Sequence, residues 1–339
     1  MKAVISFLFL IFLISSCKKK SNIEEKITST FCLDTTSLQS NFSGALSSVF
    51  FLNGKDGFVA DYNGGIYKTS DSAKHWAPLN SIVSLPIYSL FFIDELKGFA
   101  VGGQNSCGGT GCVPPGGFIL RTLDGGLTWT KVYTPIDKIE ISSVYFVNAS
   151  IGFCAGDNVI LRTSDGGQTW SEYKVNNLGG KMMQVKFVDT QKGYIVCLSD
   201  KIIKTEDGGS TWQVTSPQRN LGYYSISEAK GSTYVSGQGK IIKSINGGSS
   251  WNELPNSPTN IYAIHFINDK KGFAFGSGNY SGGDFGHTYG SIFCTNDGGN
   301  TWNGSKDVKV FGPILSVSFP TNNIGYAVSL FKVMRLTVK

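Results

Sequence analysis

Apolar residues in this chain form short runs separated by polar turns rich in Gly, Asn and Asp. From Ser47 onward one unit recurs: an apolar run that ends in Phe, a polar turn, and Gly followed by Phe or Tyr. Its seven copies begin near Val49, Ser89, Val144, Val185, Tyr223, Ile264 and Ser316. Such runs between turn residues predict β-strands, and no segment shows helical periodicity.

A second unit, an octet, follows each of the first six copies. Thr163 to Trp170 reads Thr-Ser-Asp-Gly-Gly-Gln-Thr-Trp, and every tryptophan of the chain closes such an octet. The other copies run Thr122 to Trp129, Thr205 to Trp212, Ser244 to Trp251, Thr295 to Trp302 and, without either Gly, Thr69 to Trp76. The Asp accepts backbone hydrogen bonds and the Gly pair permits positive φ, so the octet predicts a tight turn. A calcium loop needs more oxygen ligands than the one carboxylate of each octet.

Each repeat supplies four strands, here called A to D: the Phe-ending run, the Gly-Phe run, the run that enters the octet, and the run that starts at Trp. A period of roughly forty residues with four strands predicts an all-β fold, a single β-propeller of four-stranded antiparallel blades. Seven A strands against six octets predict seven blades. The last blade lacks its own strand D, and we expect an N-terminal strand near Thr28 to Leu33 to close the ring.

The octets resemble the Asp-box of BNR-repeat proteins over about residues 47 to 339. That family comprises β-propellers and includes sialidases, xyloglucanase-type glycosidases, sortilin-like receptors and the photosystem II assembly-factor family. The layout, a single seven-bladed domain, is most similar to the last of these. The resemblance implies the fold, which hosts enzymes and binding proteins alike.

The N-terminus predicts export and lipidation. Residues 1–16 have the short charged start and apolar run of a signal peptide, and Ile14-Ser15-Ser16-Cys17 resembles a bacterial lipobox. We therefore expect a lipid on Cys17, a polar tether over residues 17–28, the propeller over residues 29–339, and a location in the cell envelope, anchored to a membrane. The alternative is an ordinary secretory signal with Cys17 incidental.

Charge and cysteine content restrict the chemistry. The net charge is +6, but Lys68, Arg121, Arg162, Lys204, Lys243 and Arg335 form one repeated column at the end of strand C, which is typical of a structural feature. With three of four arginines in that column, a nucleic-acid groove is not expected. Cys107 and Cys112 share a Gly-rich loop and predict a disulfide. Cys154, Cys197 and Cys294 lie in strands, where free buried thiols are expected. No spacing predicts a metal site or a cofactor.

Two blades carry insertions between strands B and C, at residues 102–117 and 276–290. The second holds ring faces and polar groups that suit recognition of a protein or glycan: Asn279, Tyr280, Asp284, Phe285, His287 and Tyr289. The alternative is that these aromatic residues pack on their own blade. His265 is not a catalytic candidate, because its strand A column also holds Phe50, Phe91, Tyr145, Lys186, Ser225 and Ser318.

Two classes of function remain. A sialidase-like enzyme needs an arginine triad and a Tyr–Glu pair, and three of the four arginines lie in the repeated column; a xyloglucanase-like enzyme resembles two facing propellers. The sequence therefore favours a non-catalytic, monomeric, lipid-anchored propeller that acts as a binding or assembly scaffold for a protein or glycan. A glycoside hydrolase is the alternative.

Overall fold

A computed structural model describes residues 33–38, 42–104, 116–134, 139–176, 178–215, 217, 221–278, 289–304 and 310–339. These residues form 28 strands in seven antiparallel sheets of four, and no helix occurs among them. Each sheet packs on the next, and the last contacts the first, so the sheets are the blades of a closed ring. The predicted all-β, seven-bladed propeller is confirmed.

Six blades follow the chain in the order A, B, C, D. Blades 1 to 3 comprise β2 (Leu46–Phe51), β3 (Gly57–Asp61), β4 (Ile66–Thr69) and β5 (Ala77–Leu79); β6 (Ile87–Phe92), β7 (Gly98–Gln104), β8 (Gly116–Thr122) and β9 (Thr130–Tyr133); and β10 (Ile141–Phe146), β11 (Gly152–Gly156), β12 (Val159–Thr163) and β13 (Ser171–Lys174). Blades 4 to 6 comprise β14 (Met182–Phe187), β15 (Gly193–Cys197), β16 (Ile202–Thr205) and β17 (Gln213–Thr215); β18 (Tyr223–Ala229), β19 (Ser232–Gly237), β20 (Ile242–Ser244) and β21 (Asn252–Glu253); and β22 (Ile261–Phe266), β23 (Gly272–Gly278), β24 (Tyr289–Thr295) and β25 (Asn303–Gly304).

Blade 7 joins the two ends of the chain. It comprises β26 (Ser316–Ser318), β27 (Ile324–Ser329), β28 (Lys332–Val338) and, as its strand D, β1 (Leu33–Leu38). β1 pairs antiparallel with β28 from Leu33↔Val338 to Leu38↔Val333. Closure by an N-terminal strand is therefore confirmed.

The boundaries expected for that strand were wrong, because the strand begins at Leu33, where the prediction ended it. The reason is the length of the D–A link, which spans eight positions in six of the seven links around the ring. Leu38 precedes Leu46 by eight positions, just as Leu79 precedes Ile87. A longer assumed link displaced the predicted strand toward the N-terminus.

The octets are hydrogen-bonded turns, as predicted. Asp165 Oδ1 accepts from the backbone N–H of Gln168 at 2.9 Å and from that of Thr169 at 3.0 Å. Thr163 Oγ1 donates to the same carboxylate and accepts from Gly167 N. Gly167 has φ +79°, and a Cβ there would lie 2.3 Å from Phe99 Cε1 of the preceding blade. The second Gly therefore serves both the turn and the packing between blades.

The tryptophan that closes each octet packs between neighbouring blades. The ring of Trp212 meets Phe153 of blade 3 and Phe187 of blade 4 edge-on, with centroids 5.9 and 6.0 Å apart. Trp170 contacts Phe99 and Phe146 in the same way. The hydrophobic core is thus divided into clusters that lie between successive blades.

The basic column at the end of strand C packs on strand B. Lys68 Nζ lies 5.4 Å from the centroid of the Phe58 ring, and Lys243 Nζ lies 5.0 Å from that of Tyr234. In blade 6 the register places Cys294 opposite Phe273, in the position that a lysine or arginine holds elsewhere. The column is therefore a structural feature, as predicted, with a cysteine as its sixth-blade member.

The expectation for Cys294 was wrong, because this cysteine is disulfide-bonded. The cluster around it includes Leu33, so the bond lies next to the closing strand. Cys154 and Cys197 are free and buried, as expected, and burial raises the pKa of the Cys197 thiol to about 12. Cys107 and Cys112 lie outside the described residues, and their disulfide stays a prediction that peptide mapping without reduction tests.

Within the described part of the chain, no helix has the length and apolar character needed to cross a membrane. The predicted signal peptide, Cys17 and the tether lie outside the described residues.

Candidate binding site at the channel mouth

The inner A strands start with a β-bulge in six of the seven blades. In β10, for example, the register with β11 shifts between Ile141 and Ser143. A bulge breaks the simple alternation of side chains along a strand. As a result Ser142 and Ser143, which are neighbours in sequence, both line the central channel.

The channel opens on the face that bears the B–C turns and the D–A links, here called the mouth face. The opposite side, which bears the octets and the A–B turns, is the octet face. A cavity of about 280 Å³ occupies the mouth end of the channel, and residues from the starts of all seven A strands line it. This size is at the lower end of the range of small-ligand pockets.

Four tyrosines surround the mouth in two pairs. Tyr62 and Tyr88, from blades 1 and 2, meet edge-on with centroids 6.1 Å apart. Across the cavity Tyr224 and Tyr262, from blades 5 and 6, stack with centroids 4.9 Å apart. Tyr62 is 37% exposed, so its ring is available from solvent. We call these four residues the tyrosine rim.

A charged pair joins the rim at blades 3 and 4. Lys181 Nζ forms an ion pair with Glu140, and it lies 4.4 Å from the centroid of the Tyr88 ring. The Tyr88 hydroxyl donates to Glu140 Oε1 at 3.3 Å. Burial and then the negative charge of Glu140 raise the pKa of Tyr88 well above its usual value, so this hydroxyl stays protonated. The contacts hold one side of the rim in a fixed arrangement.

Below the rim, side chains link the blades in a belt of hydrogen bonds. In six of the seven steps around the ring, a side chain near the start of an A strand accepts from a backbone N–H of the next blade; it is the third residue in five strands and Ser316, the first residue, in β26. The acceptor–donor pairs are Ser48 with Leu90, Ser89 with Val144, Ser143 with Val185, Gln184 with Ile226, Ser225 with Ile264 and Ser316 with Val49. Ala263 occupies the same position in blade 6. The five serines of this belt are called the serine belt.

The floor of the cavity contains Lys186 and His265. Lys186 lines the cavity and is half-buried, and burial lowers the pKa of its ammonium despite the nearby Glu228 carboxylate. Burial, and secondarily the charge of Lys186, lowers the pKa of His265 to about 3, so the imidazole is neutral. His265 stacks on Phe319 with centroids 4.3 Å apart. It is a packing residue of the channel.

The sequence assigned one member of the His265 column incorrectly. Ser227 pairs with Tyr234 as His265 pairs with Phe273, so Ser227, and not Ser225, belongs to that column. Glu228 holds the sixth position of β18, where the six-residue A strands have Phe, so no Phe marked the register of this strand.

The predicted loop residues lie mostly outside the described part of the chain. Asn279, Tyr280, Asp284, Phe285 and His287 fall in residues 279–288, which the structure does not describe. Tyr289 starts β24, opposite Gly278, and is 37% exposed. The two ends of the insertion therefore lie on the mouth face, and the role of the loop stays a prediction.

Sequence reasoning missed the tyrosine rim. Tyr88, Tyr224 and Tyr262 each hold the second position of an A strand, so an alignment of the repeats would have placed the three tyrosines in one column, together with Ser47, Ser142 and Met183. Strict alternation, however, assigns the second and third positions to opposite faces, and only the bulge brings both to the channel.

No group of three or more His, Cys, Asp or Glu side chains in the described residues could hold a metal ion. The described arginines, Arg121, Arg162 and Arg335, lie at the octet end of strand C in three different blades. The described arginines therefore do not converge on the cavity.

Residues 174–257 match the family model described as "Photosynthesis system II assembly factor YCF48". The chain resembles this family of propellers. No curated protein matches it in sequence. A solved structure described as YCF48 bound to D1 peptide superposes with a TM-score of 0.64 at 16% identity, covering 91% of this chain and 97% of that chain.

Enzymes share the same fold. A streptogramin B lyase superposes with a TM-score of 0.69 at 13% identity, covering 91% of this chain and 98% of its own. The GH74 xyloglucanase from Xanthomonas campestris gives 0.65 at 13% identity, covering 89% of this chain but 53% of its own. At such identities the likenesses establish the fold alone.

Proposed function

We propose that this protein is a non-catalytic scaffold that binds a segment of another protein on its mouth face. The observation that carries the proposal is the tyrosine rim, two pairs of partly exposed rings on opposite sides of a cavity. Tyrosine is enriched among the residues that dominate binding energy at protein interfaces. A peptide complex of a propeller with the same fold, YCF48, supports this class of partner.

The second insertion is proposed to extend this surface. Its ends, Gly278 and Tyr289, lie on the mouth face. We expect the aromatic rings of Tyr280 and Phe285, one in each half of the loop, to contact the partner. A glycan is the other ligand that such aromatic surfaces suit, and it is an outcome of the test below.

The test is selection of peptides from a displayed random library against the purified protein, with a glycan array alongside. Selected peptides should lose about 2 kcal/mol or more of binding free energy, roughly thirtyfold in affinity, when Tyr224 and Tyr262 are both changed to Ala. Tyr173→Ala is the matched control, because Tyr173 is an exposed tyrosine on the outer strand β13.

Three results would contradict the proposal or change the partner class. If binding survives the double Tyr variant but is lost in Gln168→Ala, a change on the octet face, the binding site lies on the octet face and the proposal is wrong. Binding of glycans and of no peptide assigns the surface to carbohydrate. Equal effects of the rim variant and Tyr173→Ala indicate general destabilisation.

A glycoside hydrolase is the second candidate, favoured by the likeness to the xyloglucanase. This chain corresponds to about half of that enzyme. We expect no hydrolysis of xyloglucan or of sialosides. Hydrolysis that depends on a carboxylate of the mouth face, such as Glu140, would show an enzyme in place of the proposed scaffold.

The membrane anchor is proposed on the sequence alone. We propose that the mature protein starts at Cys17, carries lipid there, and resides in the cell envelope, tethered by residues 17–28. Mass spectrometry of the mature N-terminus tests this, and an unmodified N-terminus at any other residue contradicts it.

A further inference from the structure

The channel offers hydrogen-bond donors that no described residue uses. Each hydroxyl of the serine belt accepts a backbone N–H from the next blade, and none of the five donates a hydrogen bond within the described residues. A serine hydroxyl has one hydrogen to donate in addition to its acceptor sites. Ser142 Oγ, which also lines the cavity, is buried and has no partner there.

A cation lies at the floor of the same cavity. Lys186 Nζ has no hydrogen bond or ion pair with any described residue. The nearby carboxylate of Glu228 accepts from Gly231 N at 2.8 Å, in the A–B turn. Lys186 is half-buried, and a lysine charge that is partly removed from water and left unpaired is unfavourable unless an anion compensates it.

We propose that the channel is a binding site for a carboxylate group, held by the Lys186 ammonium and by hydroxyls that line the cavity. A carboxylate is an acceptor with two oxygens and one negative charge. It therefore matches one lysine ammonium and a belt of unused hydroxyl donors, whereas the Lys186 ammonium repels a cation. Charge-assisted hydrogen bonds of this kind are the strong ones in proteins.

The cavity, at about 280 Å³, admits a small organic acid or the end of a peptide chain, but not a folded domain. Both sources present the same carboxylate. This site goes beyond the proposed scaffold function, because a small acid can occupy it with no protein at the rim. Failure of either proposal therefore leaves the other standing.

The probe is acetate, titrated into the full chain at constant ionic strength, with acetamide as its neutral control. The readout is the NMR shift of the Ile226 and Ile264 amides, which donate to the belt. We expect saturable shifts with acetate and none with acetamide. Lys186→Met should weaken acetate binding about tenfold or more, the factor expected for a charge-assisted hydrogen bond.

Lys131→Met is the matched control, because Lys131 is an exposed lysine on the outer strand β9 and does not line the cavity, and it should leave acetate affinity nearly unchanged. The thermal melting of Lys186→Met shows whether that variant folds, and Lys186→Gln, which removes the charge but keeps a polar end, replaces it if it does not fold. Absence of saturable binding to the wild type, equal binding to the Lys186 variant, or equal shifts with acetamide would overturn the proposal.

A second arm identifies the source of the carboxylate. A short peptide with a free carboxyl end is compared with its amidated form. Tighter binding of the free-acid peptide than of acetate, lost on amidation, supports a chain terminus as the natural ligand. Binding of acetate without binding of the peptide supports a small organic acid.

Discussion

The closing strand β1 provides a sharp test of how the ring is held together. Its four central residues are exposed, and it pairs with β28 along one edge only. Backbone hydrogen bonds contribute about 1 kcal/mol each, whereas ordering a residue costs about 1–2 kcal/mol, so the backbone alone does not secure the strand. Leu33, 2% exposed in the cluster between blades 6 and 7, supplies the anchor.

We predict that Leu33→Ala lowers the free energy of unfolding by about 2–5 kcal/mol, the range for truncating a buried leucine. The control is Thr35→Ala on the exposed part of the same strand, for which about 0.5 kcal/mol is expected. Urea unfolding followed by tryptophan fluorescence measures both. Since Cys294 is disulfide-bonded in the same cluster, each variant is measured with and without reductant.

Hydrogen exchange adds a local readout. If Leu33 anchors the strand, the amides of β28 that pair with β1 should lose protection in Leu33→Ala and keep it in Thr35→Ala. Equal unfolding free energies and equal exchange of β28 in the two variants would refute the reasoning.

Three further predictions concern the turns and the disulfide. Gly179 has φ +69° and open space around it, so Gly179→Ala should lower the free energy of unfolding by about 1–2 kcal/mol. Gly167→Ala should lower it by about 1–3 kcal/mol more, because the added Cβ meets Phe99. Urea unfolding measures both, and equal losses contradict this. Hydrogen bonds from Thr128 and Thr122 lower the pKa of Asp124 to about 2. The ionised Asp124 therefore stabilises the fold fully above the unfolded-state pKa of about 4, and this contribution disappears as pH falls through about 2. Acid unfolding should depend less on pH in Asp124→Asn, and an unchanged profile contradicts this. We predict that non-reducing peptide mapping joins Cys294 to Cys32, which immediately precedes Leu33; a different partner contradicts this.

The repeats explain why the fold was predictable. The Asp and Gly of each octet act locally, so their spacing fixed the turns and the blade count without knowledge of long-range contacts. The degraded octet shows the strength of this pattern, since Ser72 and Ala73 adopt φ of 66° and 67° in place of the two glycines. Tertiary packing imposes the turn even where the residues disfavour it.

The site was less predictable, because it depends on contacts between blades. In the sequence, Lys186 is one polar residue in a variable column, and only ring closure places it in a cavity, where it is half-buried. Its position in a strand predicts that Cys294 is a free buried thiol, whereas its disulfide bond depends on which residue lies beside it in the folded chain. The sequence predicted binding residues in the loop around Tyr280, whereas the rim of the described structure is formed largely by residues at strand starts, such as Tyr224.

The central claim, that a protein segment binds on the mouth face, is tested most directly by site-specific photo-crosslinking. A photoreactive phenylalanine analogue is placed at Tyr62, on the rim, or at Tyr173, on the outer strand β13, and each protein is irradiated with a peptide selected against the wild type. We predict a crosslink from position 62 that excess unlabelled peptide abolishes, and none from position 173. A crosslink from position 173 with none from position 62 would contradict the account.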